Sequence, residues 1–310
     1  MHYRTLGKTG IEVSVLSLGA SSLGSVFRNI DEHEGIRTVH TALDLGVNLI
    51  DVAPYYGLTK AEAVLGKALK GIQRKNYILS TKAGRYGDDD FDFSESTIKK
   101  SVEESLKRLG TDYIDILHLH DIEFGSMDQI LEESIPTLQI LKKEGKIRFF
   151  GVSGLPLKIF KEVLTKSYVD SILSYCHYSL NNTKLIDFLH EMKDVNIGVI
   201  NASPLSMGLL SKRGAPPWHP AGQEIKNVCE KAVSFCTENG IDIEKLAVQF
   251  SCSNNLIATT LVGTANPDNM IKNINWINEP IDLEVLKTVQ DMLSPIKDKI
   301  WYSGKIENNI

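Results

Sequence analysis

Apolar positions along the chain follow two alternating rhythms. From Asp31 onward Ile36, Val39 and Leu43 recur at helical spacing, Gly46 ends the run, and 47–50 follows as an unbroken apolar stretch, which predicts a helix feeding a buried strand. The order repeats with a helix over 61–69 before a strand at 77–81. A third helix starts at Ser94 as N-cap, carries Ile98, Val102 and Leu106 four apart and stops at Gly110, ahead of a strand at 113–119. It continues with a helix ending at Gly145 before 147–152, a shorter one before 171–175, a helix over 184–192 before 197–202, and two helices before 259–262. With a strand at 13–18 in front, these make about eight short apolar strands without polar alternation, the pattern of parallel strands covered by helices. A closed α/β arrangement, the (β/α)8 or TIM barrel, is the economical solution. An open doubly wound sheet competes, but the first strand runs into Gly19-Ala20-Ser21-Ser22-Leu23-Gly24-Ser25 rather than a G-x-G-x-x-G turn.

No linker or low-complexity tract interrupts residues 1–310, so a single barrel domain is expected. Segments 3–6 and 11–13 flank Gly7-Lys8-Thr9-Gly10 as a β-hairpin suited to plug the barrel bottom, and 283–293 reads as an extra C-terminal helix with 300–304 as a tail.

Charge and cysteine content narrow the partners. Lys plus Arg total 34 against 39 Asp plus Glu, a net charge of -5, which lacks the basic surplus of a nucleic-acid binder. No stretch has the length and apolarity of a membrane span, and the first residues lack the apolar run of a signal peptide, so a soluble, cytoplasmic protein acting on small molecules is expected. Cys176, Cys229, Cys236 and Cys252 fit neither a zinc spacing nor a disulfide framework, so no metal is expected. Cys229 and Cys236 fall near the apolar stripe of Ile225, Ala232 and Phe235 as small buried groups.

In a barrel of this kind the chemistry sits at the C-terminal ends of the strands, so polar residues that terminate apolar runs are the candidates. Asp51 ends 47–50, Lys82 ends 77–81, His120 ends 113–119, Ser153 ends 147–152, and Asn201 lies within the seventh strand. Tyr56, one short loop after Asp51, is able to lean over the same mouth. The set suits proton transfer by a phenol: a neighbouring Lys ammonium lowers a tyrosine pKa toward neutrality, Asp51 holds that ammonium, and His120 hydrogen-bonds the reacting oxygen. His118 shares the parity of His120 one layer deeper, where a hydrogen-bonded core histidine is expected, and Asp115 has the opposite parity of a structural group.

Gly7-Lys8-Thr9-Gly10, Asp51 through Tyr56-Gly57, Ser80-Thr81-Lys82, Asp115 through His120, Gly151-Val152-Ser153, Ser203-Pro204-Leu205 through Gly208-Leu209-Leu210 and Val262-Gly263 through Asn273 together resemble the blocks of the aldo-keto reductases, in family order. The resemblance implies a barrel that binds an extended nicotinamide dinucleotide, with Asp51, Tyr56, Lys82 and His120 as catalytic tetrad and Tyr56 as general acid/base. By the same resemblance Gly19, Ala20, Ser21, Asp51, Ser153, Gly154, Tyr175, Ser203, Leu205, Gly208, Leu210, Gly263, Thr264, Ala265, Asn269 and Asn273 contact the cofactor. Tyr56 and His120 meet the substrate, and the loop residues Trp218 and His219 are further candidates for it. The blocks His120 to Ser126, Gly154 to Leu157, Leu173 to Tyr178 and Pro217 to Ala221 are similar to those of a sugar-oxidising branch. They imply oxidation of an aldose such as L-galactose, L-fucose or D-arabinose at C1 to the lactone. An NADPH-dependent aldehyde or ketone reductase and a cofactor-sensing regulatory subunit are the alternatives.

The chain departs from the wider family in three ring contacts, having Gly154 where many members carry Asn, Ala202 where a Tyr often stacks, and Tyr175 where Gln is common. Tyr175 is the candidate to supply the stacking instead. Ala265 and Asn269 stand where NADPH-using relatives often carry Arg, leaving Lys272 as the cation of that block, so NAD is expected over NADP.

Overall fold

The structure, a computed structural model, describes residues 1–26 and 28–309. Two strands, β1 (Tyr3–Thr5) and β2 (Glu12–Ser14), pair antiparallel across a 3-10 turn at Gly7–Thr9. Eight parallel strands then close a barrel in chain order: β3 (Leu16–Gly19), β4 (Leu49–Asp51), β5 (Ile78–Ala83), β6 (Ile114–Leu119), β7 (Ile147–Gly154), β8 (Ser171–Tyr175), β9 (Gly198–Ala202) and β10 (Thr259–Gly263), with β10 pairing back onto β3. Helices α1 (Glu32–Asp44), α2 (Lys60–Leu69) and α3 (Glu95–Leu109) follow β3, β4 and β5. After β6, α4 (Met127–Gln129) passes through a π turn into α5 (Ile135–Lys143). Then come α6 (Leu157–Lys166), α7 (Lys184–Glu191), α8 (Gln223–Glu238), α9 (Ile243–Ser253), α10 (Pro267–Trp276) and α11 (Leu283–Leu293). Among the described residues no helix is long and apolar enough to cross a membrane.

Local chemistry accounts for the element ends that matter. Asp31 caps α1 by accepting the His33 N–H, and Gly110 closes α3 in the left-handed conformation. The strand expected at 13–18 divides in two: Val13 belongs to the hairpin and the barrel strand begins at Leu16. Between them the chain turns at Val15, whose N–H donates to His2 O. The hairpin does plug the bottom of the barrel. Leu6, Ile11 and Val13 pack with Leu49, Ile116, Leu173, Ile200 and Leu261 in one buried cluster. Gly7 lies so close to β9 that a Cβ there would sit 2.3 Å from the Gly198 nitrogen, and its φ of +51° also favours glycine.

This plug seals one end, so the polar strand ends gather at the other. The register sets Gly19 beside Asp51, Asp51 beside Ser80, Lys82 beside His118, Gly154 beside Ser174 and Gly19 beside Gly263, a ring of residues around one mouth. His118 is buried one layer below, 3.0 Å from Ser171 Oγ and 3.4 Å from Ser80 Oγ, and burial pushes its pKa down to about 3. Asp115 lies outside the barrel wall, accepting the Leu79 N–H and pairing with Arg74 and Arg148. All four cysteines are buried free thiols.

Candidate active site

Lys82 crosses the centre of the mouth. Its Nζ donates to Asp51 Oδ1 in a short ion pair and to Val52 O at 2.9 Å, while Ser80 Oγ donates to Asp51 Oδ2 at 2.7 Å. Both charges are almost wholly buried, so each depends on the other. The loop after β4 carries Tyr56 back over this pair. Its ring centroid is 4.9 Å from Lys82 Nζ and meets His120 edge-on at 5.6 Å, with the planes at 85°. Two close backbone approaches seat the loop: a Cβ on Gly57 would lie 2.1 Å from Gly24 O, and one on Gly24 would lie 2.5 Å from Tyr56 O. The 3-10 turn after β3, Ala20–Gly24, is thus the bed on which the tyrosine loop rests.

Electrostatics revise one expectation. Burial raises the Tyr56 pKa above its ordinary value, and the ammonium of Lys82 with its hydrogen bond only offsets part of that rise. The anticipated lowering holds for the direction of the lysine's influence, not for the net result. Lys82 is itself pulled down by burial, but Asp51 and Tyr56 together carry its pKa above the usual value. His120 is held neutral by burial and by the neighbouring cations Lys82 and Arg85; its Nδ1 is buried without a partner among the described residues, and its Nε2 lies 3.7 Å from Asp121 Oδ2. The mouth therefore presents a protonated phenol, a fixed ammonium and a neutral imidazole, a set able to carry a proton to or from an oxygen placed between Tyr56 and His120.

A second polar group beside the tetrad was not foreseen. Arg85, just past β5, is ion-paired with Asp121 at 2.6 Å, and its guanidinium lies over the Tyr55 ring at 3.9 Å and within 5.5 Å of Phe91 and Phe124, which stack at 4.2 Å. Asp121 follows His120 directly and sits at φ 53°, an uncommon conformation for a non-glycine residue. Only the polar termination of an apolar run marked this region in the sequence, and that signal stops at His120.

The positions expected to meet a dinucleotide spread from this mouth toward β9 and β10. Gly19, Ala20 and Ser21 end β3 beside Gly263, and Ser153, Gly154 and Tyr175 form the rim at β7 and β8. After β9, Ser203, Ser206, Met207 and Gly208 all have positive φ, in the loop that carries Leu205 and Leu210. After β10, Thr264 precedes α10, whose N-cap Asn266 accepts the Asn269 N–H; Asn273 is buried in the helix, and Ala265 packs into the core with Met270. The glycine ends of the paired strands β3 and β10, a loop with four positive-φ residues and a helix N-terminus lie along one side of the mouth, an arrangement that fits an extended, anionic dinucleotide. The loop candidates separate. Trp218 is half-exposed, whereas His219 is buried with Nε2 3.1 Å from Ser206 O and Nδ1 accepting the Ala221 N–H, packed edge-on to Trp301. With both ring nitrogens held by backbone, His219 serves as a clamp for its own loop.

The chain is 48% identical over 314 residues to L-galactose dehydrogenase from Arabidopsis thaliana, covering 98% of each chain. It is 34% identical to D-arabinose 1-dehydrogenase from Saccharomyces cerevisiae, covering 78% of this chain and 76% of the relative. An aldo-keto reductase from Bacillus halodurans in its holo form superposes with a TM-score of 0.79 at 28% identity, covering 100% of both chains. Residues 15–294 match the Aldo/keto reductase family. The chain belongs to the aldo/keto reductase family, and it is an oxidoreductase acting on alcohol and carbonyl groups.

Proposed function

We propose that this enzyme oxidises an aldopyranose at C1 to the lactone, taking L-galactose or a close relative such as L-fucose or D-arabinose, with NAD as the preferred cofactor. The observation that carries it is the convergence of Tyr56, Lys82 and His120 at one mouth, in a chain so similar along its whole length to an L-galactose dehydrogenase. Gly19, Ser21, Ser153, Gly154, Tyr175, the loop 203–210 and the segment 263–273 would hold the dinucleotide. When bound, its nicotinamide supplies the hydride acceptor.

The residues of the chain do the rest. His120, uncharged, donates to or accepts from the C1 oxygen and holds it toward Tyr56. The phenol oxygen takes the hydroxyl proton as the C1 hydrogen leaves with its electron pair, so an alcohol carbon becomes a carbonyl carbon. Lys82, kept charged by Asp51, stabilises the tyrosinate that must exist beforehand. Because burial keeps the resting phenol protonated, oxidation should accelerate with rising pH. In the reductive direction the same hydroxyl donates.

Preference for NAD is supported at the α10 N-terminus. Asn266 Nδ2 donates to Glu34 Oε1 at 2.6 Å, and a carboxylate beside this helix start would disfavour the extra anionic charge of a 2′-phosphate bound there. The deciding experiment is a spectrophotometric screen of L-galactose, L-fucose and D-arabinose with NAD and NADP, with Tyr56→Phe as control. Turnover of at least one aldose with higher kcat/KM for NAD, lost about a hundredfold or more in Tyr56→Phe, is expected. Intact turnover in Tyr56→Phe, or reduction of simple carbonyls with NADPH alone, refutes the assignment.

A further inference from the structure

Glu123 is a carboxyl group that the tetrad does not use, yet it is wholly buried in the 3-10 turn Ile122–Phe124, which Asp121 links to His120. Its Oε1 accepts from the Leu155 N–H at 3.1 Å, from Ser303 Oγ at 2.9 Å and from the Tyr175 hydroxyl at 3.5 Å. Oε2 has no partner. It faces Gly154, where an added Cβ would lie 2.4 Å from Oε2, so the acid fills the room a side chain at 154 would take. The main chain of Glu123 is held as firmly from the other side. Its carbonyl accepts from the Lys305 N–H at 2.9 Å and Asn308 Nδ2 at 2.8 Å, and Gly304, at φ +69°, lies so near that a Cβ there would be 2.4 Å from that oxygen. Asn309 closes the segment on itself through Ser303 and Lys305.

We propose that Glu123 is a positioning residue for the nicotinamide end of the cofactor: it couples the docked C-terminal segment 303–309 to Gly154, Leu155 and Tyr175, the wall against which that ring rests. This builds on the cofactor reading above, not on the identity of the sugar. Three donors converge on Oε1 and, among the described residues, none on Oε2; the Leu155 and Ser303 hydrogen bonds favour the carboxylate and offset only part of the effect of burial. The groups that face it are Asp121 on its own loop, with Arg85 paired to Asp121, Tyr175 on β8, and Ser303 of the tail. Burial first, then Asp121, push the Glu123 pKa up to about 8. Ionisation above that pH places a second negative charge beside Asp121 and Tyr175 in a dry site, and the wall should loosen.

The test is calorimetric binding of NAD and of ADP-ribose, which lacks nicotinamide, to the full-length protein between pH 7 and pH 9. The wild type should lose about tenfold in NAD affinity over that range, the fall expected when only the form protonated near pH 8 binds well, while ADP-ribose stays flat. Glu123→Gln, which keeps the shape but cannot ionise, should restore flat NAD binding. Ser303→Ala should weaken NAD by about three- to tenfold and leave ADP-ribose unchanged, and it keeps the proposal testable if Glu123→Gln does not fold. An unaltered alkaline fall in Glu123→Gln, an equal loss for both ligands, or NAD affinity unmoved in Ser303→Ala overturns the proposal. Failure of the wild type to bind either ligand would instead refute the cofactor reading on which it rests.

Discussion

Replacing Asp51 with Asn removes one unit of charge from the centre of the mouth while preserving shape. Asn keeps an oxygen for Lys82 Nζ and an amide for Ser80 Oγ, so the hydrogen-bond geometry survives and the loss is electrostatic. Lys82 is 2% exposed and, among the described residues, its other acceptors are Val52 O and Tyr56, neither of which is charged when the phenol is protonated. Breaking one partner of such a buried pair costs about 3–5 kcal/mol. A second consequence separates this from ordinary core damage. In the wild type, Asp51 and Tyr56 together outweigh burial and the lysine pKa stands above its usual value. In Asp51→Asn burial prevails and the folded-state pKa drops below its unfolded value. Between those two values the unfolded chain binds more protons than the folded one, so stability must rise with pH, by at most about 1.4 kcal/mol per unit. Urea unfolding of both proteins at pH 6, 7, 8 and 9 measures the two effects together, and kcat/KM should fall about a hundredfold or more as the phenol loses its cation. A variant that unfolds at the wild-type urea midpoint at every pH would show that Lys82 does not rely on Asp51, and the electrostatic account of the tetrad would fail.

Two further substitutions probe how the mouth is assembled. Gly24→Ala places a methyl within about 2.5 Å of Tyr56 O and should displace the tyrosine loop, lowering kcat about tenfold or more with little change in NAD affinity; a wild-type kcat would show that the loop does not depend on that bed. Glu34→Ala removes the carboxylate beside Asn266 and should raise the NADP to NAD ratio of kcat/KM by about three- to tenfold, and an unchanged ratio would place discrimination elsewhere.

How much of this was legible in the sequence follows from what each signal measures. Apolar runs ended by Asp51, Lys82 and His120 mark strands and their C-terminal ends at once, and closing eight strands into a barrel brings those ends together whatever the loops do. The hairpin was equally readable, because its glycines punctuate two short apolar segments, although the border between hairpin and barrel strand was misplaced because Ser14 and Ser17 interrupt the apolar run no more than a continuous strand tolerates. Desolvation was not readable. The net pKa direction of Tyr56 depends on how fully the mouth is covered, a property of loops from several strands, so the pairwise effect of Lys82 was foreseen and its defeat by burial was not.

Glu123 makes the same point more sharply. Along the chain it is one more acidic residue in a loop, indistinguishable by spacing from a solvated one. Its burial is produced by Ser303 and Asn308, some 180 positions away (separations of 180 and 185 residues), and by a glycine on β7 that leaves space for it. The residue types that identify the reaction therefore lie where strand parity puts them, whereas the residues that set the polarity of the pocket are selected by remote segments that exclude water. Gly154 is informative in that light: the missing side chain is matched by an acid from another loop, so a departure at one position of the rim is compensated at a second that no local pattern connects to it.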